Sequence, residues 1–396
     1  MLRFLRTAST RRLLATVAGV LAVIAGGTAI AVAATGSGPV PKAQSLAGAV
    51  HQALSAPKVT GISANISFTN NLIDSSDFTG QSTDPILQGA SGRLWLSNDG
   101  RLRIELQSDN GDAQVVVDHR SFWISDPTEH TVYEGTLAAD HGAKHPGSQS
   151  GVPSIASIQS FLTRLMGRVN LSGAQPTDVA GQAAYRVTVS PKHDGGLLGS
   201  AELAWDAIRG VPLQFAIYAR GNTTPVLELK ATSISYGAIS ASDFNISPPA
   251  GAKVVRVASG APASRTDAAH AHRRSVTGAQ AVAAAVPFKL VAPKSLVGLP
   301  RQRVELLSMG AKPAALVGYG QNLGGMVVIE QRAGSHTSAA SGLGGLSLPS
   351  VSINGAKGQE LSTALGTVLT FTRGAVRYTV LGSVPATAAE LAARAL

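Results

Sequence analysis

The residues best equipped for chemistry are scattered, and their spacing excludes most of the reactions they could run. Ser55-Ala56-Pro57-Lys58 has the Ser-x-x-Lys spacing of penicillin-recognising enzymes, where one helical turn brings the lysine amine to the serine hydroxyl. Pro57 would break that turn, and no Lys-Thr-Gly follows. His141 and His145 lie four apart, with Asp140 and His130 nearby, a pattern that on a helix would align two imidazoles for a metal. The stretch that holds them contains Gly142, Gly147, Gly151 and Pro153, so it reads as a loop carrying solvated histidines. His270 and His272 sit in a segment without periodicity and read the same way. Neither Gly318-Tyr319-Gly320 nor Gly342-Leu343-Gly344-Gly345 stands between a parallel strand and a helix, which a phosphate-cradling loop requires; both read as turns.

Carboxylates are frequent between residues 99 and 140. Most fall in turns or alternate with arginine along a strand, and nothing opposes two of them across a substrate as glycoside hydrolysis demands. Trp95, Trp123 and Trp205 are either platforms for a sugar or lipid, or core residues. The chain has no cysteine, hence no disulfide, thiolate metal site, thiol nucleophile or cysteine-linked lipid anchor. The expectation is a protein that is not an enzyme, with no catalytic residue, no metal and no cofactor.

The elements that position these residues are mostly strands. Ile62, Ala64, Ile66 and Phe68 alternate with polar residues, and Leu102, Ile104 and Leu106 alternate with Arg101, Arg103 and Glu105 after the turn signal Asn98-Asp99-Gly100. Short strands are expected at 114–118, 122–125 and 131–134, then at 185–190, 201–206, 213–218 and 226–231, which together make an antiparallel meander. Leu46, Val50, Ala53 and Leu54 recur at helical spacing over 43–56. A second helix, over 154–169, gathers Ile155, Ile158, Phe161, Leu162, Leu165, Met166 and Val169 on one face behind a Pro153-Ser154 cap.

At both ends the composition changes. Arg3, Arg6, Arg11 and Arg12 precede an uncharged run from Leu13 to Ala34 that ends in the small triplet Ala31-Val32-Ala33. The segment 1–34 is a cleavable signal peptide or a membrane anchor, and either places the following residues outside the cytoplasm. Residues 35–42 read as a tether and 257–285 as a disordered linker. A small domain over 286–396 is expected to hold strands at 303–307, 314–318, 326–331, 366–371 and 376–381, a loop at 334–346 and a closing helix from Ala386 to Leu396. A hydrophobic fraction of 44% with 14% charged residues excludes disorder throughout. Residues 35–252 carry 14 basic and 18 acidic side chains, whereas residues 253–396 carry 15 and 5. With no basic helix or aromatic-arginine platform, nucleic acid is not an expected partner; an anionic surface or the chain's own acidic domain is. Arginine outnumbers lysine 23 to 10, which suggests a GC-rich bacterial coding bias.

The ordered motifs Gly92-Arg93-Leu94-Trp95, Phe122-Trp123-Ile124-Ser125-Asp126-Pro127, Leu203-Ala204-Trp205-Asp206 with Val211-Pro212-Leu213, and Phe244-Asn245-Ile246-Ser247-Pro248-Pro249 resemble the LolA-like lipoprotein carrier superfamily over residues 43–256. The resemblance implies a mainly β fold with a few helices: an incomplete antiparallel β-barrel covered by helices, whose concave apolar face holds acyl chains. With a small α+β C-terminal domain added, the layout is similar to the RseB/MucB branch, which binds lipid-type ligands and regulates an anti-sigma factor. The implied function is an extracytoplasmic carrier of lipid acyl chains or lipoproteins. The alternative is a membrane-tethered sensor that contacts a membrane protein through its C-terminal domain. Ile62, Ile66, Phe68, Leu102, Ile104, Leu213, Phe215 and Ile217 are expected to line the cavity or fill a dry core, and Phe161 and Leu165 to belong to a movable lid.

Overall fold

This computed structural model describes residues 38–73, 89–107, 112–126, 130–137, 152–257, 276–309, 312–334 and 348–396. The segment 1–34, His141, His145, His270, His272 and residues 335–346 of the expected loop lie outside the described residues. Among the described residues no helix is long and apolar enough to cross a membrane.

The first domain is one curled half-barrel. After helix α1 (Leu46–Ser55), strands β1 (Gly61–Asn70), β2 (Ala90–Ser97), β3 (Leu102–Gln107), β4 (Ala113–Asp118), β5 (Ser121–Asp126) and β6 (Thr131–Thr136) pair in sequence order. Helix α2 (Ile155–Leu165) follows, then β7 (Val169–Leu171), β8 (Gln175–Val179), β9 (Gln182–Pro191), β10 (Leu198–Asp206), β11 (Pro212–Ala219) and β12 (Leu227–Tyr236). Two meanders are therefore present rather than one, sewn together where β12 pairs antiparallel with β1. The chain then returns to the far edge as β13 (Lys253–Val257), which runs parallel to β6.

Local chemistry explains the helix ends. Ser154 and Ser45 cap α2 and α1 through hydroxyls that accept from the Ser157 and Gly48 amides. Helix α2 stops at Leu165, four residues before the expected end, because Val169 to Leu171 pairs with β9 instead. Ser55 is the last residue of α1, and Pro57 and Lys58 lie beyond it. Gly210, in the β10–β11 turn at φ +68°, is pressed on the Ala53 carbonyl, and a Cβ there would collide with it.

The second domain is an eight-stranded sheet formed by β14 (Ser295–Leu296), β15 (Leu299–Met309), β16 (Lys312–Tyr319), β17 (Met326–Arg332), β18 (Ser350–Ile353), β19 (Ala356–Thr363), β20 (Gly366–Arg373) and β21 (Val376–Gly382). Its order is β14-β15-β16-β17-β21-β20-β19-β18. Helices α3 (Ala279–Ala285) and α4 (Ala386–Ala395) complete it. Residues 279–285 thus form a helix in the stretch read as linker, because Val282 is buried in the domain's core beside Val304 and Val317. The cluster around Leu369, Val380 and Val328 is continuous with Ala389, Ala392 and Ala393 of α4.

Candidate acyl-binding face

Strand register decides which side chains share a face, since residues directly opposite in an antiparallel ladder point the same way. One row crosses six strands: Ala90, Phe68, Leu229, Phe215, Leu203 and Val187 are successive partners from β2 to β9. A second row runs Val117, Leu102, Leu96, Ile62 and Tyr236, and a third Val115, Ile104, Leu94, Ala64 and Ile234. All three lie on the inner face, so alternation along each strand has produced a broad apolar sheet surface.

Helices cover one end of it. Leu46, Ala47 and Val50 of α1 and Ile158 and Leu162 of α2 pack with Tyr185, Val187, Leu203 and Trp205. Burying Ile158 and Leu162 stabilises this packing by roughly 1.5–3 kcal/mol each. Trp205 belongs to this core, whereas Trp95 and Trp123 lie on the opposite, outer face, Trp95 beneath the Arg103 guanidinium at 4.6 Å.

Away from the helices the same rows lose their cover. Ile62 and Ile66 are buried in a cluster with Leu94, Ile104 and Ile234, while Phe68, Leu102, Ile104, Phe215 and Ile217 are half-buried. Leu213 is set apart, buried against Val179, Ala184 and Ala204; an irregularity in the β10–β11 pairing beside it explains its departure from the alternation. Leu229, which the sequence reading did not select, is 40% exposed between Phe68 and Phe215. Its alternation with Leu227 and Ala231 carried the signal. On α2, Leu162 is fully buried, Leu165 is half-buried and Phe161 is 39% exposed. The apolar face of the helix is thus wider than the stripe the core uses.

A buried acid pins the covered end. Asp206 accepts from the Tyr236 hydroxyl at 2.7 Å and from the Ile208 and Arg209 amides at 2.8 Å. Burial alone would raise its carboxyl; these donors and the Arg209 guanidinium outweigh burial and hold it below the usual range. The outer face carries a separate cavity of about 670 Å³ between β4–β6 and the segment Phe244–Pro248, with Trp123, Glu134 and Arg256 among its walls. Among the described residues no three His, Asp or Glu side chains converge on a metal-sized space.

No protein-family model matches the chain, and no curated protein does. Solved structures similar to it include MucB in complex with MucA(peri), 16% identical, spanning 88% of this chain and 94% of that one at a TM-score of 0.38. The MucA/MucB complex of Pseudomonas aeruginosa is 15% identical over 88% and 96%, at 0.41. A LolA superfamily protein from Nitrosomonas europaea is 8% identical over 52% and 99%, at 0.20. The chain is similar in layout to MucB over most of its length and to LolA-superfamily proteins over about half of it.

Proposed function

We propose that the chain is a non-enzymatic extracytoplasmic binding protein for acyl chains, of free lipids or of lipoproteins, which lie on the inner face of the half-barrel beside α2. The observation that carries this reading is the row Phe68–Leu229–Phe215, apolar across three adjacent strands and left partly open where α1 and α2 end their cover. A soluble protein leaves a contiguous apolar surface open at a cost, and such surfaces mark binding sites. Each methylene removed from water contributes about 0.8 kcal/mol, so ten supply about 8 kcal/mol, near micromolar affinity before ordering costs. The arginine-led segment before Leu13 supports the location outside the cytoplasm. Native mass spectrometry of the chain extracted without detergent should find lipid-mass adducts. Repeated absence of adducts, together with no binding of fluorescent acyl probes, contradicts the reading.

A second reading, a sensor acting on a membrane protein, draws on the charge division between the two halves of the chain, which favours docking of the basic domain on an acidic partner. MucB, similar in layout, was solved in complex with MucA(peri). Pull-down from membranes with the full chain should recover a specific membrane protein, and loss of residues 287–396 should abolish the capture. Equal capture by the truncated chain contradicts it.

A further inference from the structure

We propose that the seam between the two domains is part of the ligand site: it holds the end of an acyl chain together with an acidic head group, so that an anionic single-chain amphiphile touches both domains at once. The proposal rests on the acyl-binding reading above and extends it to a residue set outside the half-barrel. A cavity of about 320 Å³ lies at this seam. Val189 and Ala201 from the first domain and Leu323 from the β16–β17 turn of the second are among its walls. Val189 pairs with Ala201 and Ala201 with Ile217, so these walls continue the inner face on which Phe215 lies. Leu323 is 51% exposed, a large apolar side chain on the cavity wall.

The rim has the chemistry of an anion site. Arg168, three residues beyond the end of α2, and His193 both line the cavity. Neither side chain has a hydrogen-bond or ion-pair partner among the described residues. Asp194, the one acidic residue of the rim, is already engaged: it accepts from the Arg220 guanidinium at 3.0 Å and from the Gly196 amide at 2.9 Å. A carboxylate or phosphate head group therefore meets an uncompensated guanidinium next to an apolar chamber.

Occupancy here would be felt by the domain contact. The Leu197 amide donates to the Ser383 carbonyl at 3.0 Å and lies 2.9 Å from its hydroxyl, and the Gly324 amide donates to the Asp194 carbonyl at 3.3 Å. Gly196, at φ +63°, is so close to the Ser383 carbonyl that a Cβ would strike it. Leu323 is the residue before Gly324, so a chain that packs on Leu323 pushes directly on one of the bonds that join the domains. A ligand with different affinity for the joined and parted arrangements shifts the balance between them.

The test uses the full chain with dodecanoate, the neutral alcohol 1-dodecanol and acetate as probes, in wild type and in Leu323→Asp and Arg168→Glu. Leu323→Asp, at an exposed turn that should fold normally, is expected to weaken dodecanoate at least about tenfold, because it places a charge against the chain. Arg168→Glu should weaken dodecanoate by about fivefold or more and leave 1-dodecanol within about twofold, and acetate alone should not bind measurably. The absence of cysteine allows spin labels at Thr232→Cys and Gln302→Cys, both exposed; the distance distribution between them should change on adding dodecanoate. Wild-type affinity in Leu323→Asp overturns the seam site and leaves acyl binding on the inner face standing. Equal losses for the acid and the alcohol in Arg168→Glu overturn the head-group assignment, and an unchanged distance distribution overturns the coupling. Failure of wild type to bind dodecanoate overturns both this proposal and the reading it rests on.

Discussion

In the second domain α4 lays Ala389, Ala392 and Ala393 against the sheet, and Leu369, Val380 and Val328 lose all contact with water. In the first domain α1 and α2 bury Val187 and Leu203 and then stop, leaving Phe68, Leu229 and Phe215 on the same face partly open. The strands are alike in pattern, so pattern does not separate a core from a binding face; what separates them is how far the helices reach. The buried acids differ in a matching way. Asp206 is met by four donor groups, whereas among the described residues Glu330, fully buried on β17, accepts the Val291 amide through one oxygen and its other oxygen finds no partner. Burial pushes Glu330 up to about 7, the Val291 amide offsetting part of that rise.

Truncation should expose this contrast most strongly. Leu369→Ala and Leu162→Ala remove fully buried side chains in the two domains and should each cost about 2–5 kcal/mol in chemical denaturation. A loss below about 1 kcal/mol for Leu162→Ala would mean that α2 is not fixed to the sheet even along its buried stripe. Asp206→Ala should cost about 3 kcal/mol, since it strands the Tyr236 hydroxyl and the turn amides. A near-neutral result would show that the acid does not pin the covered end.

The acids also sharpen the comparison through pH. Glu330 has a folded value near 7 against 4.5 when unfolded, so between those values the folded state holds the extra proton. Its stabilisation is fully present below pH 4.5 and is lost as pH rises through about 7, by an amount on the order of 3 kcal/mol. Asp206 acts in the opposite sense: its contribution is present above its unfolded value of 3.8 and is lost only as pH falls through the lower folded value. Thermal melts from pH 5 to 8 should therefore show the second domain weakening as pH rises, and Glu330→Gln should flatten that slope. A slope that survives Glu330→Gln assigns the titration to another group.

The smallest stability effect is expected at Phe161. In a fixed core Phe→Ala costs roughly 3–5 kcal/mol, but this ring is 39% exposed, so Phe161→Ala should cost only about 1–2 kcal/mol while speeding the release of an acyl probe. A large loss of stability with unchanged release would make α2 a permanent wall rather than a lid.

Much of the architecture was legible because single strands declare their faces. Leu102, Ile104 and Leu106 alternate as a strand should, and Ile158 and Leu162 repeat as a helix should. Elements went unread where tertiary contact, not local pattern, decides the conformation. Lys253–Val257 becomes a strand only by pairing parallel with β6, and the alanine-rich Ala279–Ala285 is helical around one buried residue, Val282. The β18–β19 hairpin was readable and missed: Asn354 and Gly355 both have positive φ, the signature of the tight hairpin turn their pair encodes. Of the expected lining residues, alternation placed Ile62, Ile66, Phe68, Leu102, Ile104, Phe215 and Ile217 on one face, and missed that Leu213 leaves it where the β10–β11 pairing is irregular. It could not identify which of them the helices leave open, because Phe215 and Leu203 are alike in character and differ only in what lies above them.

That openness is what the account depends on, and direct titration of the full chain with a fluorescent acyl probe tests it, comparing wild type with a Phe68→Asp, Phe215→Asp double variant and with Leu369→Ala as a destabilised control. The account predicts wild-type binding near micromolar, at least about tenfold weaker binding in the double variant, and unchanged affinity in Leu369→Ala at a temperature where it remains folded. Equal affinity in wild type and in the folded double variant would contradict it.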